Sequence, residues 1–214
     1  MRVFDRVRRS PAATRLLFGV EVPAPTAQAH WDLTTLVLRH ALDRMATPGM
    51  RVLEMGCGEV GVLSINAARR HAAAVLATDV DKDAIRAAGV SFTRNGAVVE
   101  TRVSDLFDAI RPDEAFDLVL FNPPYVPTPF GDARHLDEPR RVWDGGADGA
   151  NVIRRFLTAV SARRQPGTIV LLGFNARHVG EEVVAAEAAA RGLAVRGRVA
   201  PWWSPSVVFV IAAR

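Results

Sequence analysis

Apolar runs of strand length alternate along most of the chain with segments whose apolar residues recur at helical spacing. Arg51–Met55 (RVLEM) is a short strand-like run, and residues 62–70 after it have helical spacing. Ala74–Asp79 predicts a second strand and Lys82–Arg94 a helix. Residues 98–103 and 116–121 (FDLVLF) predict the third and fourth strands, residues 150–163 a helix, and residues 167–174 (GTIVLLGF) the fifth strand. Residues 181–191 read as an Ala/Glu-rich helix. Leu193–Val199 and residues 207–212 predict the last two strands, joined by a turn with Pro201 and Pro205. Strand–helix alternation implies parallel pairing through right-handed crossovers. The continuously apolar runs FDLVLF and GTIVLLGF suit buried parallel strands. The last two strands are too closely joined for a crossover, so they predict an antiparallel pair at one edge. The expected fold is a doubly wound α/β domain with a seven-stranded, mostly parallel sheet.

Ahead of Arg51, residues 16–22 predict a strand and residues 32–45 a helix with Asp32 or Thr34 near its start. Residues 1–50 therefore read as an extension or lid packed on a main domain of residues 51–214.

A length of 214 residues suits one domain with a sizeable core. No apolar run approaches the roughly 18–20 residues that span a bilayer, so no membrane association is expected. The Arg-rich start has only a short, broken apolar stretch and does not read as a signal peptide. Cys57 is the only cysteine, which excludes an internal disulfide and fits the cytoplasm. The net charge is +4, and Arg2, Arg6, Arg8, Arg9 and Arg15 form a basic cluster that reads as a solvated face, with phosphate contact as the alternative.

The chemistry gathers at strand ends. Glu54-Met-Gly56-Cys-Gly58-Glu-Val-Gly61 follows the first strong strand and opens a helix, the place where open α/β sheets bind ligands. Gly56 and Gly58 let the backbone turn tightly and approach a ligand. Asp79 ends the second strand, where an acid can bind both ribose hydroxyls. Asp105 follows the third, where it can accept from an adenine amine. Val80 and Leu106 beside them can pack on the adenine. Glu54 can face an amino group, which favours a ligand with an ammonium, S-adenosylmethionine, over a dinucleotide. Asp81 and Asp83 read as helix caps.

Asn122-Pro123-Pro124-Tyr125 follows the fourth strand. Two prolines fix an extended path, so Asn122 and the Pro123 carbonyl can form a rigid pair of acceptors beside the glycine turn. Tyr125 can offer an aromatic face to a planar group. A delocalised nitrogen is a poor nucleophile, and two acceptors gripping its N–H groups would orient its lone pair. No His/Cys cluster has metal-ligand spacing, and no metal is expected.

With these motifs the chain resembles class I methyltransferases of the Asn-Pro-Pro-Tyr type, and within them the HemK-like protein-glutamine N5-methyltransferases. The resemblance runs over residues 52–156 and includes VLEMGCGEVG, ATDVDKDAI, Asn95-Gly96, SDLF, FDLVLFNPPYVP, Glu138-Pro139 and the segment from Trp143 to Gly149. It implies a Rossmann-like fold. It also implies S-adenosylmethionine bound by Glu54, Gly56, Gly58, Asp79, Val80, Asp105, Leu106 and Asn122. Asn122, Pro123 and Tyr125 would hold the nitrogen being methylated, and Gly145, Gly146 and Asp148 would shape the adjoining wall. Pro124, Trp31, Phe130 and Trp143 complete the candidate substrate pocket. The bacterial release-factor enzymes carry a helical N-terminal substrate domain for which this chain has no room. The short form is similar to single-domain members that rely on a partner subunit.

The acceptor stays open at this level. A side-chain amide of a protein leads. A small molecule of specialised metabolism, a base in RNA or DNA, and a catalytically silent cofactor-binding scaffold are the alternatives. His30 is a candidate for assisting proton loss, and His135 and Asp137 lie with Phe130 in the long segment after the Asn-Pro-Pro-Tyr motif. Trp202 and Trp203 are expected to pack rather than line a pocket.

Overall fold

A computed structural model describes residues 2–23, 26–133, 138–163 and 165–214. The strands are β1 (Arg51–Met55), β2 (Ala74–Asp79), β3 (Glu100–Val103), β4 (Leu118–Phe121), β5 (Ile169–Asn175), β6 (Leu193–Val199) and β7 (Ser206–Ala213). They form one sheet of order β3-β2-β1-β4-β5-β7-β6. The first five are parallel, and β7 runs antiparallel to both β5 and β6. The predicted antiparallel pair is present, with β7 inserted between β5 and β6 so that β6 is the outer strand at that edge. Its physical cause is the short Pro201–Pro205 connection, which cannot cross the sheet.

Helices α1 (Arg2–Arg8), α2 (Pro11–Phe18), α3 (Leu33–Met45), α4 (Val62–Arg69) and α5 (Lys82–Arg94) precede β3. Helices α6 (Thr128–Ala133), α7 (Arg140–Trp143), α8 (Asn151–Arg163) and α9 (Glu181–Ala189) follow β4. Phe18, Leu38, Leu42, Ile65 and Phe92 cover one face of the sheet, and Phe107, Phe156, Leu157 and Val184 cover the other. Among the described residues no helix is long and apolar enough to cross a membrane.

Two regions differ in kind from their predictions: the long segment after the Asn-Pro-Pro-Tyr motif carries the short helices α6 and α7, and the N-terminal apolar run is helical. Residues 16–22 are not a strand: Leu16–Phe18 end helix α2. Ser10 caps that helix through Ala13 N–H, Pro11 occupies its first turn, and Gly19 ends it at φ +67°. Local capping thus overrides the apolar run, and the helix buries Phe18 while leaving Leu16 exposed. Helix α3 begins as predicted, with Asp32 in a capping box with Thr35. It packs on β5 and β7, where Gly173 makes room: a Cβ there would lie 2.6 Å from Thr34 Cγ2 and 2.8 Å from Leu38 Cδ1.

Candidate active site

The strand order reverses between β1 and β4, and ligands of open α/β sheets bind at such a switch point. Met55 and Phe121 are register partners. The glycine turn and the Asn-Pro-Pro-Tyr turn therefore leave the sheet side by side.

Gly56 turns at φ +66° and Gly58 at φ +63°, conformations that cost an L side chain strain. A Cβ on Gly56 would also press on the Phe121 ring at 3.2 Å. The turn leaves Gly56 open to the crevice. Glu54 is buried, and its Oε2 accepts from Ser64 N–H at 2.7 Å and from the Ser64 hydroxyl. Burial pushes its pKa up to about 7 against the pull of those bonds. Asp79 Oδ2 accepts from Gly58 N–H and Oδ1 from Asp81 N–H, each at 2.9 Å. Burial raises its pKa too. Two bonds leave a carboxylate with free lone pairs for further donors.

Val80 beside Asp79 is 54% exposed, an apolar side chain left open beside the glycine turn's ligand-side acid. Asp81 caps α5 and pairs with Arg141 from α7 at 3.1 Å. Asp105 pairs with Arg155 at 2.8 Å. Leu106 is buried at φ +49°, a left-handed leucine whose strain is about 1–2 kcal/mol. Ser104 holds it by donating to Leu106 C=O at 2.8 Å. Left-handed glycines, acids at three successive strand ends, one buried and two half-buried, and an exposed valine suit an adenosyl ligand with an amino-acid tail.

On the other side of the crevice, Asn122 Nδ2 donates to Asp32 Oδ1 at 3.1 Å and to Thr35 Oγ1 at 3.3 Å. Its amide oxygen is buried and has no hydrogen-bond partner among the described residues. Tyr125 donates its hydroxyl to Asp32 Oδ2 at 2.8 Å and lies 2.9 Å from Thr34 Oγ1. Burial, then the Asp32 charge, push that phenol well above its ordinary value. The Tyr125 ring stacks on His178, 6.2 Å between centroids, and His178 meets Phe130 at 4.9 Å. Pro123 is buried and Pro124 half-buried.

The wall after this motif is stitched to it by backbone. Val126 N–H donates to Trp143 C=O at 2.8 Å and Gly145 N–H to Val126 C=O at 2.9 Å. Thr128 N–H donates to Gly146 C=O at 2.9 Å. Gly145 passes so close to Gly149 that a Cβ would fall 2.3 Å from its carbonyl oxygen. Asp148 accepts from Ala150 N–H at the start of α8 and pairs with Arg154.

The remaining candidates separate clearly. Trp143 is buried against Gly131, and Trp31 is buried between Phe4 and Phe18, so both rings serve the core. His30 is buried between Thr14 and Thr26 hydroxyls, and burial, with Arg9 nearby, pulls its pKa down to about 4, leaving it a structural residue. His135 and Asp137 lie outside the described residues. Trp202 and Trp203 do not pack: they are 96% and 53% exposed on a turn tied to the catalytic end of β5 by Ala176 N–H to Pro205 C=O.

Sequence reasoning missed three participants. Asp32 was legible as a helix cap but not as the partner of Asn122 and Tyr125. His178 carried no signal. Glu138 was legible only as part of the Glu138-Pro139 motif and not as a latch: its buried carboxylate accepts from Arg8 at 3.0 Å, Arg9 at 3.5 Å and Ala29 N–H at 2.8 Å, tying down the N-terminal segment.

With the reversal point flanked in this way and an inverted strand inserted beside β5, the domain is of the Rossmann-like methyltransferase class. A model of the methyltransferase small domain matches residues 23–129, half of the chain, and the chain belongs to that family. It is 30% identical over 161 residues to the release factor glutamine methyltransferase of Gloeobacter violaceus, covering 72% of this chain and 54% of that one. The chain thus spans about half the length of that relative. Among solved structures, a methyltransferase from Pyrococcus furiosus superposes with a TM-score of 0.70 at 19% identity, covering 98% of this chain and 96% of the other. A 16S rRNA N2 methyltransferase of T. thermophilus, in complex with AdoMet and guanosine, gives 0.66 at 20% identity over 86% of this chain and 44% of the other.

Proposed function

We propose that this chain is an S-adenosylmethionine-dependent methyltransferase acting on a side-chain amide nitrogen of a protein, of the HemK-like glutamine type. The observation that carries the reading is the buried, unpartnered amide oxygen of Asn122 beside the glycine turn. A buried acceptor without a donor is costly, and an acceptor substrate's N–H satisfies it.

Glu54 would hold the cofactor's amino group, Asp79 its ribose and Asp105 its adenine amine, with Val80 and Leu106 against the ring. The bound cofactor supplies a methyl group made electrophilic by a sulfonium. Asn122 Oδ1 and the Pro123 carbonyl grip the acceptor N–H groups and aim the nitrogen lone pair. With the acceptor nitrogen oriented in this way, its surplus proton would be lost to water. Positioning and preorganised acceptors supply the rate.

Residues 1–50 are the substrate-side cover in this reading. Gln28 N–H donates to Glu59 at 3.2 Å beside the glycine turn, and Glu138 latches the same segment. Two exposed tryptophans at the rim favour a macromolecular acceptor over a small metabolite. Arg8 and Arg9 are paired with Glu138, and Arg15 with Glu21, which weakens the nucleic-acid reading. Location in the cytoplasm belongs to this proposal.

The test is methyl transfer from labelled S-adenosylmethionine to release factors, RNA and small amides, with mass spectrometry of the product. N5-methylglutamine on a protein supports the reading. Label on RNA alone, or on none of the acceptors while cofactor binds, overturns it.

A further inference from the structure

We propose that Asp32 is a positioning residue that fixes which end of the Asn122 side-chain amide faces the acceptor. The inference rests on the reading that Asn122 grips the acceptor N–H. A side-chain amide is nearly symmetric in shape, and turning it over exchanges an acceptor for a donor. Only the oxygen end can hold an N–H, so the site works in one orientation alone.

The contacts around Asn122 permit one orientation. Nδ2 meets Asp32 Oδ1 at 3.1 Å. A flipped amide would place its oxygen against a carboxylate oxygen with no proton between them. Thr35 offers no rescue, because its hydroxyl already donates to Asp32 Oδ1 at 2.8 Å. The flipped oxygen would therefore face two acceptors, and the oxygen is left pointing to the substrate side, buried and unpartnered.

Asp32 is itself held in place. Its Oδ1 accepts from Thr35 N–H at 2.7 Å as the cap of α3, and its Oδ2 accepts from Tyr125 at 2.8 Å. One carboxylate thus clamps both ends of the Asn-Pro-Pro-Tyr turn from 90 residues upstream. Helix α3 brings it there because Gly173 lets α3 lie close on β5.

A bare capping role predicts a different outcome from Asp32→Asn. Asn caps helices as well as Asp does, but it cannot accept on both of its outer atoms. With a protein acceptor, the variant is expected to lose at least tenfold in kcat. Its Tm, cofactor affinity and KM for the acceptor are expected to stay close to wild type. Thr35→Ser should keep activity and Thr35→Val should lose part of it. A second readout needs no acceptor: the Asn122 side-chain NH2 signal in 15N NMR, assigned by its disappearance in Asn122→Ala. Slow hydrogen exchange in wild type and fast exchange in Asp32→Asn support the clamp. Equal exchange in the two proteins, or unchanged kcat in the variant, overturns it. Protection lost in the variant, in a protein that methylates no amide, would sink the acceptor reading and leave the clamp standing.

Discussion

The two walls of the crevice are assembled over very different distances along the chain. On the glycine side, Glu54 is held from 10 residues away, and Asp79 from 21 and 2 residues away. On the Asn122 side, Asp32 reaches Asn122 across 90 residues and Tyr125 across 93, while Glu138 reaches Arg8 across 130 and Thr34 reaches Ser206 across 172. Glu54 and Asp79 thus rest on neighbouring strand–helix units, while the more exposed Asp81 and Asp105 also pair with arginines 60 and 50 residues away. The second wall exists only when the N-terminal segment, the middle loop and the last strand have all docked. Damage to the first should therefore appear as lost cofactor affinity. Damage to the second should appear as lost turnover or a loosened N-terminus.

The largest effect that would sharpen this contrast is expected from Asn122→Ala. It should lower kcat by about 10²–10³-fold, the usual cost of one preorganised hydrogen-bonding group, with cofactor affinity by calorimetry nearly unchanged. An equal fall in both would merge the two walls into one functional unit. Asp79→Ala should do the reverse, weakening cofactor binding about ten- to a hundredfold, since bonds to a charged group contribute about 1.5–3 kcal/mol. Wild-type affinity in that variant would remove Asp79 from the ribose.

Glu138→Ala removes the buried acceptor of two arginines and a backbone N–H. A stability loss of about 1–3 kcal/mol is expected in chemical unfolding, with faster proteolysis of the N-terminal helices than of the sheet. Uniform protection would show that the latch does not close the second wall. A pH series separates the walls through two buried groups with opposite signs. Glu54, raised to about 7, keeps its proton to higher pH in the folded state than in the unfolded chain. Its contribution to stability is present below its ordinary value of 4.5 and is lost as pH rises through about 7, and Asp79 acts in the same sense. His30, lowered to about 4, contributes above its ordinary 6.5 and is lost as pH falls through about 4. Glu54→Gln should therefore leave stability rising with pH up to about 6.5, with a slope change of at most about 1.4 kcal/mol per pH unit. A variant curve that overlays wild type would remove Glu54 from the buried set. The smallest effect is expected at the rim: Trp202→Ala with Trp203→Ala should raise KM for a protein acceptor about threefold to tenfold, within what buried aromatic contacts contribute. An identical change with a free small amide would argue against protein docking there.

Much of the molecule was written locally. Short apolar runs and period-3.6 patterns set the seven strands and the longer helices between them, because burying an apolar surface requires those spacings, while the short helices α6 and α7 left no such pattern. The glycines of the first turn and the acids at the ends of β1, β2 and β3 follow the strands that carry them, so their meeting at one edge was readable before any coordinates. Asn122 and Tyr125 were readable as a motif for the same reason. What the linear chain does not encode locally is which distant group completes a bond. Asp32 looked like any helix cap, His178 like any loop histidine, and the two tryptophans like core. Even the helix ending at Phe18 was hidden, because its caps at Ser10 and Gly19 outweigh the apolar run between them. The tertiary structure alone decided that one carboxylate would turn the Asn122 amide and pin Tyr125, because hydrogen bonds between residues 90 apart are fixed by packing of helix on sheet and leave no periodic trace in the sequence.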